Sequence, residues 1–202
     1  MERVAVIDFE TTGMSPEHGA RATEIGIVIL EGGVVVDRYQ SLMKSGARIP
    51  SFIEELTGIT NAMLRQAPPA AQVMREAAEF VGEAPLIAHN ASFDSRFWHA
   101  ELERVGLSCQ QPFACSMLVA RRVFPSAPSH KLGTLIEYAD LQVTGRFHRA
   151  LADAEMTASL VARMCDELAR TYGLRDVPHS LLRKIQATPR TRLAECVRSF
   201  RG

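Results

Sequence analysis

The apolar positions along this chain change period in a readable order, which predicts an α/β protein that begins with strands. Val4 to Ile7 is an unbroken apolar run ending in Asp8-Phe9-Glu10, as expected of a strand buried on both faces whose end meets something polar. A polar loop follows from Met14 to Arg21. Thr23 to Leu30 then reads as a second strand, Glu31-Gly32-Gly33 as a tight hairpin connection, and Val34 to Lys44 as its partner. Residues 50–65 hold short helical fragments broken around Gly58. Pro68-Pro69 opens a helix to about Val81, with Val73, Ala77, Phe80 and Val81 facing inward.

Pro85 to His89 is a short buried strand that runs through Asn90-Ala91-Ser92-Phe93-Asp94 into a helix ending near Val105. On that helix Phe93, Phe97 and Ala100 keep helical spacing. Phe113 to Cys115 reads as a last short strand, with helices following to Val123 and over 132–139. The clearest period belongs to Leu151, Ala154, Ala158, Val161, Cys165, Leu168 and Tyr172, an amphipathic helix of about six turns that Gly173 closes. Strands first, then strands alternating with helices, predict a mixed sheet with helices packed on it.

Composition narrows the picture. The 202 residues and 47% hydrophobic content suit one domain with a sizeable core. The net charge is zero, yet residues 175–202 carry seven Lys or Arg against two acids, leaving the rest with 16 basic and 21 acidic residues. The expected division is therefore a domain over 1–173 and a basic helical appendage over 174–202, with Arg183, Lys184, Arg190, Arg192, Arg198 and Arg201 as its cations. That tail either docks DNA or a protein, or packs on the domain. The four cysteines lack zinc-like spacing and sit among apolar neighbours, as free thiols in a reducing compartment would. No apolar run is long enough for a membrane span and no signal segment precedes the first strand, so a cytoplasmic protein with no membrane partner is expected.

The candidate chemistry lies where elements begin or end. Residues i and i+2 of a strand share a face, so Asp8 and Glu10 project together from the end of the first strand. Two carboxylates so placed repel each other and lose water, and a hard divalent cation answers both problems. Asp94 and Asp153 each fall in the opening turn of a helix, where the dipole alone also favours an acid. His148 stands five residues before Asp153 in a loop with Arg146 and Arg149, where a solvated histidine is equally ordinary.

Taken jointly, Asp8-x-Glu10-Thr11-Thr12-Gly13, His89-Asn90-x-x-Phe93-Asp94 and His148-Arg149-Ala150-Leu151-x-Asp153 resemble the motifs of the DEDDh (DnaQ-like) 3′→5′ exonucleases. This is the family of the DNA polymerase III ε subunit and exonuclease X. Leu56-Thr57-Gly58-Ile59-Thr60 is similar to another segment of that family. The histidine branch is indicated because His, at 148, stands five before the last acid, while the position four before it is Arg149 and not tyrosine.

The resemblance covers about residues 3–170 and implies an RNase H-like mixed five-stranded sheet flanked by helices. It implies that Asp8, Glu10, Asp94 and Asp153 hold two Mg²⁺ or Mn²⁺ ions, with His148 as general base. It also implies that Thr11, Thr12 and Gly13 hold the terminal nucleotide, that Leu56 wedges against the last bases, and that Asn90 and Phe93 contribute to substrate binding. Leu56 and Phe93 read equally well as core residues. The expected activity is release of nucleoside 5′-monophosphates from single-stranded or frayed DNA 3′ ends. RNA cleavage of the RNase T or oligoribonuclease kind is the alternative on the same site. A polymerase or other protein partner and a homodimer both stay open.

Overall fold

The computed structural model describes residues 2–143 and 145–200; Arg201 and Gly202 of the basic tail lie outside the described residues. Five strands form one mixed sheet, β1 Val4–Thr11, β2 Ala22–Glu31, β3 Val34–Leu42, β4 Leu86–Ala88 and β5 Phe113–Cys115, in the order β3-β2-β1-β4-β5. β1 is central, antiparallel to β2 and parallel to β4, and β4 is parallel to β5. The helices among the described residues are α1 Ser51–Thr57, α2 Asn61–Gln66, α3 Ala70–Val81, α4 Ser92–Glu103, α5 Ser116–Val123, α6 Leu132–Tyr138, α7 Ala150–Tyr172, α8 His179–Ala187 and α9 Leu193–Arg198.

The alternation along β1 assigns its two faces. Ala5, Ile7 and Phe9 join Ile25, Ile27 and Ile29 of β2 in a core closed by α3 and α4. Val4 and Val6 join Val28 and Leu30 in the opposite core, closed by α5, α6 and α7. Both faces of the sheet are therefore covered, which is why β1 and β2 read as continuous apolar runs and not as alternating ones. Asp8 and Glu10 follow Val4 and Val6 on the α7 face, but beyond the reach of its apolar packing.

The helices differ from the pattern in detail. On α3, Met74 is fully buried, while Phe80 stays half-buried against the Tyr39 ring at 5.6 Å. On α4, Trp98 is buried beside Phe97, and Ala100 is only half-buried. The buried side of α7 is wider than one stripe. It adds Ala150, Met156, Thr157, Leu160 and Met164, whereas Leu151 and Tyr172 sit at its edges. Gly173 ends α7 in the left-handed region, with φ 59°.

The chain beyond Gly173 returns to the same core. Leu181, Leu182 and Ile185 of α8 and Val197 of α9 are buried with the β1 and α7 residues. His179 Nε2 lies 2.9 Å from the Leu86 carbonyl at the start of β4. The Gln186 side-chain oxygen accepts from the Cys115 amide at the end of β5. These two bonds lay α8 along β4 and β5, with its C-terminus at the same end of the sheet as Asp8 and Glu10. Among the described residues no helix is long and apolar enough to cross a membrane, and none of the four cysteines is in a disulfide.

Candidate active site

Three elements, β1, α4 and α7, and the loop before α7 bring the predicted acids and histidine together at one end of the sheet. Glu10 leaves β1 on the same side as Asp8. Asp94 enters from the first turn of α4, where its Oδ1 accepts from the Phe9 amide at 3.2 Å, between the two β1 acids. Asp153 enters from the first turn of α7, and its Oδ2 accepts from the His148 amide at 3.0 Å. Carboxylate oxygens of Glu10 and Asp153 and a ring nitrogen of His148 all lie within 4.8 Å of one another.

The electrostatics follow from this crowding. Burial first, then Asp94, Asp153, Glu10 and Glu24, push the Asp8 carboxyl well above the usual carboxylate range. Burial first, then Asp153, Glu24 and Asp94, raise Glu10 to about 8, against some relief from Arg149. Burial raises Asp94 to about 8 although the Phe9 amide favours its charge. Asp153 rises to about 6, chiefly through burial, with the His148 amide opposing. Asp153 Oδ1 is buried without a hydrogen-bond partner among the described residues. An orphaned carboxylate oxygen and four mutually repelling acids fit hard divalent cations, whose charge supplies what the side chains lack.

The segments that position these groups carry two unusual backbone conformations. His148 has φ 62° and Asn90 has φ 65°, a region where non-glycine residues are uncommon. Both flank site acids, and strain of this kind gathers at functional sites. His148 is exposed in the loop before α7, so its ring is open to solvent.

The expected substrate-binding residues fall into two groups. Thr11 Oγ1 donates to the Gly13 carbonyl at 2.7 Å, and Thr12 Oγ1 accepts from the Arg21 amide at 3.0 Å, so both hydroxyls shape the turn after β1. At Gly13 an added Cβ would meet the Ala20 Cβ at 3.4 Å, an ordinary contact, so crowding inside the chain does not require glycine there. Leu56 is 46% exposed on α1, one turn from Phe52 at 62%, so it is free of the core and open to a ligand. Phe93 is half-buried, with its ring stacked at a tilt on Phe97 at 4.9 Å. Asn90 is exposed at the mouth of α4.

Two residues essential to this geometry escaped the sequence reading. Glu24, paired across β1–β2 with Glu10 and 1% exposed, accepts from Arg149 Nε at 3.1 Å, Arg149 Nη2 at 2.6 Å and the Ala150 amide at 3.1 Å. That clamp fixes the N-terminus of α7, and with it His148 and Asp153. Gly26, next on the same face, lets the helix come this close, since a Cβ there would lie 2.2 Å from the Leu151 nitrogen. The available signal was a charged residue followed by glycine inside an otherwise apolar strand, which marks close approach of another backbone.

Comparison with known proteins bears on the family and the fold. The RNase T-type exonuclease family model matches residues 5–161. The chain is 34% identical over 172 residues to the DNA polymerase III subunit epsilon of Aquifex aeolicus, covering 85% of this chain and 84% of that protein. It is 34% identical to the PolC-type DNA polymerase III of Bacillus cereus and 33% identical to the 3′-5′ exonuclease DinG of Bacillus subtilis. Those matches cover 83% and 92% of this chain but only 12% and 19% of the relatives, so the chain spans a small part of each. Among solved structures, exonuclease X in complex with 5′-overhanging duplex DNA superimposes with TM-score 0.70 at 25% identity, covering 91% of this chain and 99% of that one.

Proposed function

Since this chain belongs to the RNase T-type exonuclease family, in its DEDDh-like 3′→5′ branch, we propose that it hydrolyses DNA from free 3′ ends, single-stranded or frayed, and releases nucleoside 5′-monophosphates. The observation that carries this reading is the convergence of Asp8, Glu10, Asp94 and Asp153, all held above their ordinary pKa, around an exposed His148.

Asp8, Glu10, Asp94 and Asp153 would hold two Mg²⁺ or Mn²⁺ ions, which when bound supply Lewis acidity at the scissile phosphate and offset the charge of the acids. The chain's own residues do the rest. Asp94 is held against the β1 backbone by the Phe9 amide, so its carboxylate keeps its orientation without substrate. The His148 amide holds Asp153 from one side, and the Glu24–Arg149 clamp holds α7 from the other. His148 presents its ring beside Glu10 and takes the proton of the attacking water. The turn Thr11–Gly13 lies against the terminal nucleotide, and Leu56 separates it from the next base.

The similarity to polymerase III proteins supports DNA over RNA, and it supports a second reading of this activity as proofreading beside a polymerase. The four unbridged cysteines support a cytoplasmic location. The deciding experiment follows 3′-labelled and 5′-labelled DNA and RNA oligonucleotides of one sequence with Mg²⁺, Mn²⁺ or EDTA. The expected result is cation-dependent shortening from the 3′ end with DNA preferred. Intact DNA 3′ ends in Mn²⁺ would refute the reading.

A further inference from the structure

The active site uses four of the acids of residues 1–174, but leaves the basic balance of the tail without a role. Two features place those cations. The first is the bond from the Cys115 amide to the Gln186 side chain, which anchors the end of α8 at the catalytic end of the sheet. The second is an open groove of about 320 Å³, which begins at Asn90 and Ser92, two residues before Asp94. Its floor is Phe113, Met117 and Leu118, and Gln186 closes the far side. None of the residues lining this groove is acidic.

Exposed cations lie one helical turn from lining residues on each side of it. On the α5 side Arg121 is exposed one turn beyond Met117. On the α8 side Arg183 is exposed one turn before Gln186, three residues away and so on the same side of the helix. Past the groove, the Thr188 carbonyl accepts from Arg122 Nε at 2.9 Å, and the chain emerges at Pro189 with Arg190 and Arg192 exposed. Arg121, Arg183, Arg190 and Arg192 form no ion pair among the described residues.

We infer that this groove and its flanking arginines are the track for the nucleic-acid strand leading to the active site, the tail arginines holding phosphates several nucleotides upstream of the scissile bond. The chemistry matches such a ligand. An apolar floor with an aromatic edge takes sugar and base faces, hydroxyl and amide groups line the rim, and cations follow the backbone. A polyanion drawn to a cluster of four acids also needs its remaining phosphates held where no further acid opposes them. The inference rests on the nuclease reading of the site and identifies what the basic tail does for it.

The test is the double variant Arg183→Glu/Arg190→Glu in the full chain, assayed on single-stranded DNA of about three and about twenty nucleotides, lengths below and above one binding track. Both residues are exposed and unpaired, so the variant should melt at the wild-type temperature. The expected result is KM raised about tenfold on the long strand only, with kcat unchanged. The salt dependence of KM on that strand should flatten by about 1.4 in log–log slope, from about 0.7 per lost phosphate contact. An equal KM change on both lengths, or an unchanged salt slope, overturns the track. Fluorescence anisotropy of the labelled long strand separates the two readings. If the wild type cuts nothing, the nuclease reading fails, and the track stands or falls on whether the variant binds the strand about tenfold more weakly or equally well.

Discussion

Two sets of acids, one fully buried and one buried or half-buried, lie within a few residues of each other, and their difference separates structure from chemistry. Glu24 and Glu101 are each 1% exposed, and each has its own arginine and its own backbone amide. Glu24 takes Arg149 and the Ala150 amide, and Glu101 takes Arg21 through two bonds of 2.7 and 2.8 Å together with the Ala22 amide. Among the described residues Asp8, Glu10, Asp94 and Asp153 form no ion pair with an arginine, and each is pushed up in pKa. Withdrawal of a carboxylate from water, partial or complete, is thus common to both sets. What distinguishes the site is that its charge is left for something outside the chain to neutralise.

Substitution tests this contrast most strongly. Asp8→Ala removes one of the mutually repelling charges, so hydrolysis should fall on the order of a thousandfold, while the metal-free protein melts no lower than wild type. Glu101→Ala should do the reverse. It strands the Arg21 guanidinium and should cost about 3 kcal/mol of stability, leaving cleavage by the folded fraction near normal. Melting curves and specific activity on the two variants decide it, and equal destabilisation by both would erase the distinction.

His148 tests the site from its exposed side. His148→Ala should lower kcat about a hundredfold with Mn²⁺ affinity nearly retained, as read by calorimetry. His148→Gly should match it in activity but melt slightly higher, because glycine adopts φ 62° without strain. Loss of Mn²⁺ binding in both variants would make the histidine a ligand instead of a base.

Glu24→Gln falls between the two sets. It keeps the side-chain shape but gives up the charge that faces Arg149. About 1–2 kcal/mol of stability should go with that charge-assisted pairing. Turnover should fall roughly tenfold as Asp153 and His148 lose their fixed approach. A turnover loss with no change in melting would mean that Glu24 acts on the reaction directly.

How much of this was legible in sequence depended on distance along the chain. Asp94 and Asp153 became legible only through the joint resemblance of the three motifs to a known family, whereas Asp8 and Glu10 also stood out by ending an apolar run that fixes their location. The strands and the length of α7 were visible for the same reason. Glu24 and Arg149 are 125 residues apart, and Arg21 and Glu101 are 80 apart. Nothing local in either partner announces the other. The packing of α8 and α9 on the core was one of two readings left open, because their apolar positions fit any apolar surface. The positive φ of His148 depends on the clamped start of α7 and not on its neighbours in sequence.

The pH dependence of stability gives the smallest expected effect and the one most specific to the comparison. In the unfolded chain the site carboxyls release their protons near their ordinary values of 3.8 to 4.5, whereas in the fold Asp153 holds its proton to about 6, and Glu10 and Asp94 to about 8. Between about pH 4 and about pH 8 the folded state therefore binds more protons than the unfolded state, and this contribution to stability declines as pH rises. Below that window both states are protonated. Above it both are ionised, and the full repulsion is present. Divalent cations stabilise the ionised carboxylates, so Mg²⁺ should raise the melting temperature more near pH 8 than near pH 5. Asp94→Asn should shrink that difference, while the Arg21–Glu101 pair, already neutralised within the chain, adds none of it. Parallel melting shifts with Mg²⁺ at both pH values would mean that the four acids are satisfied by the protein itself.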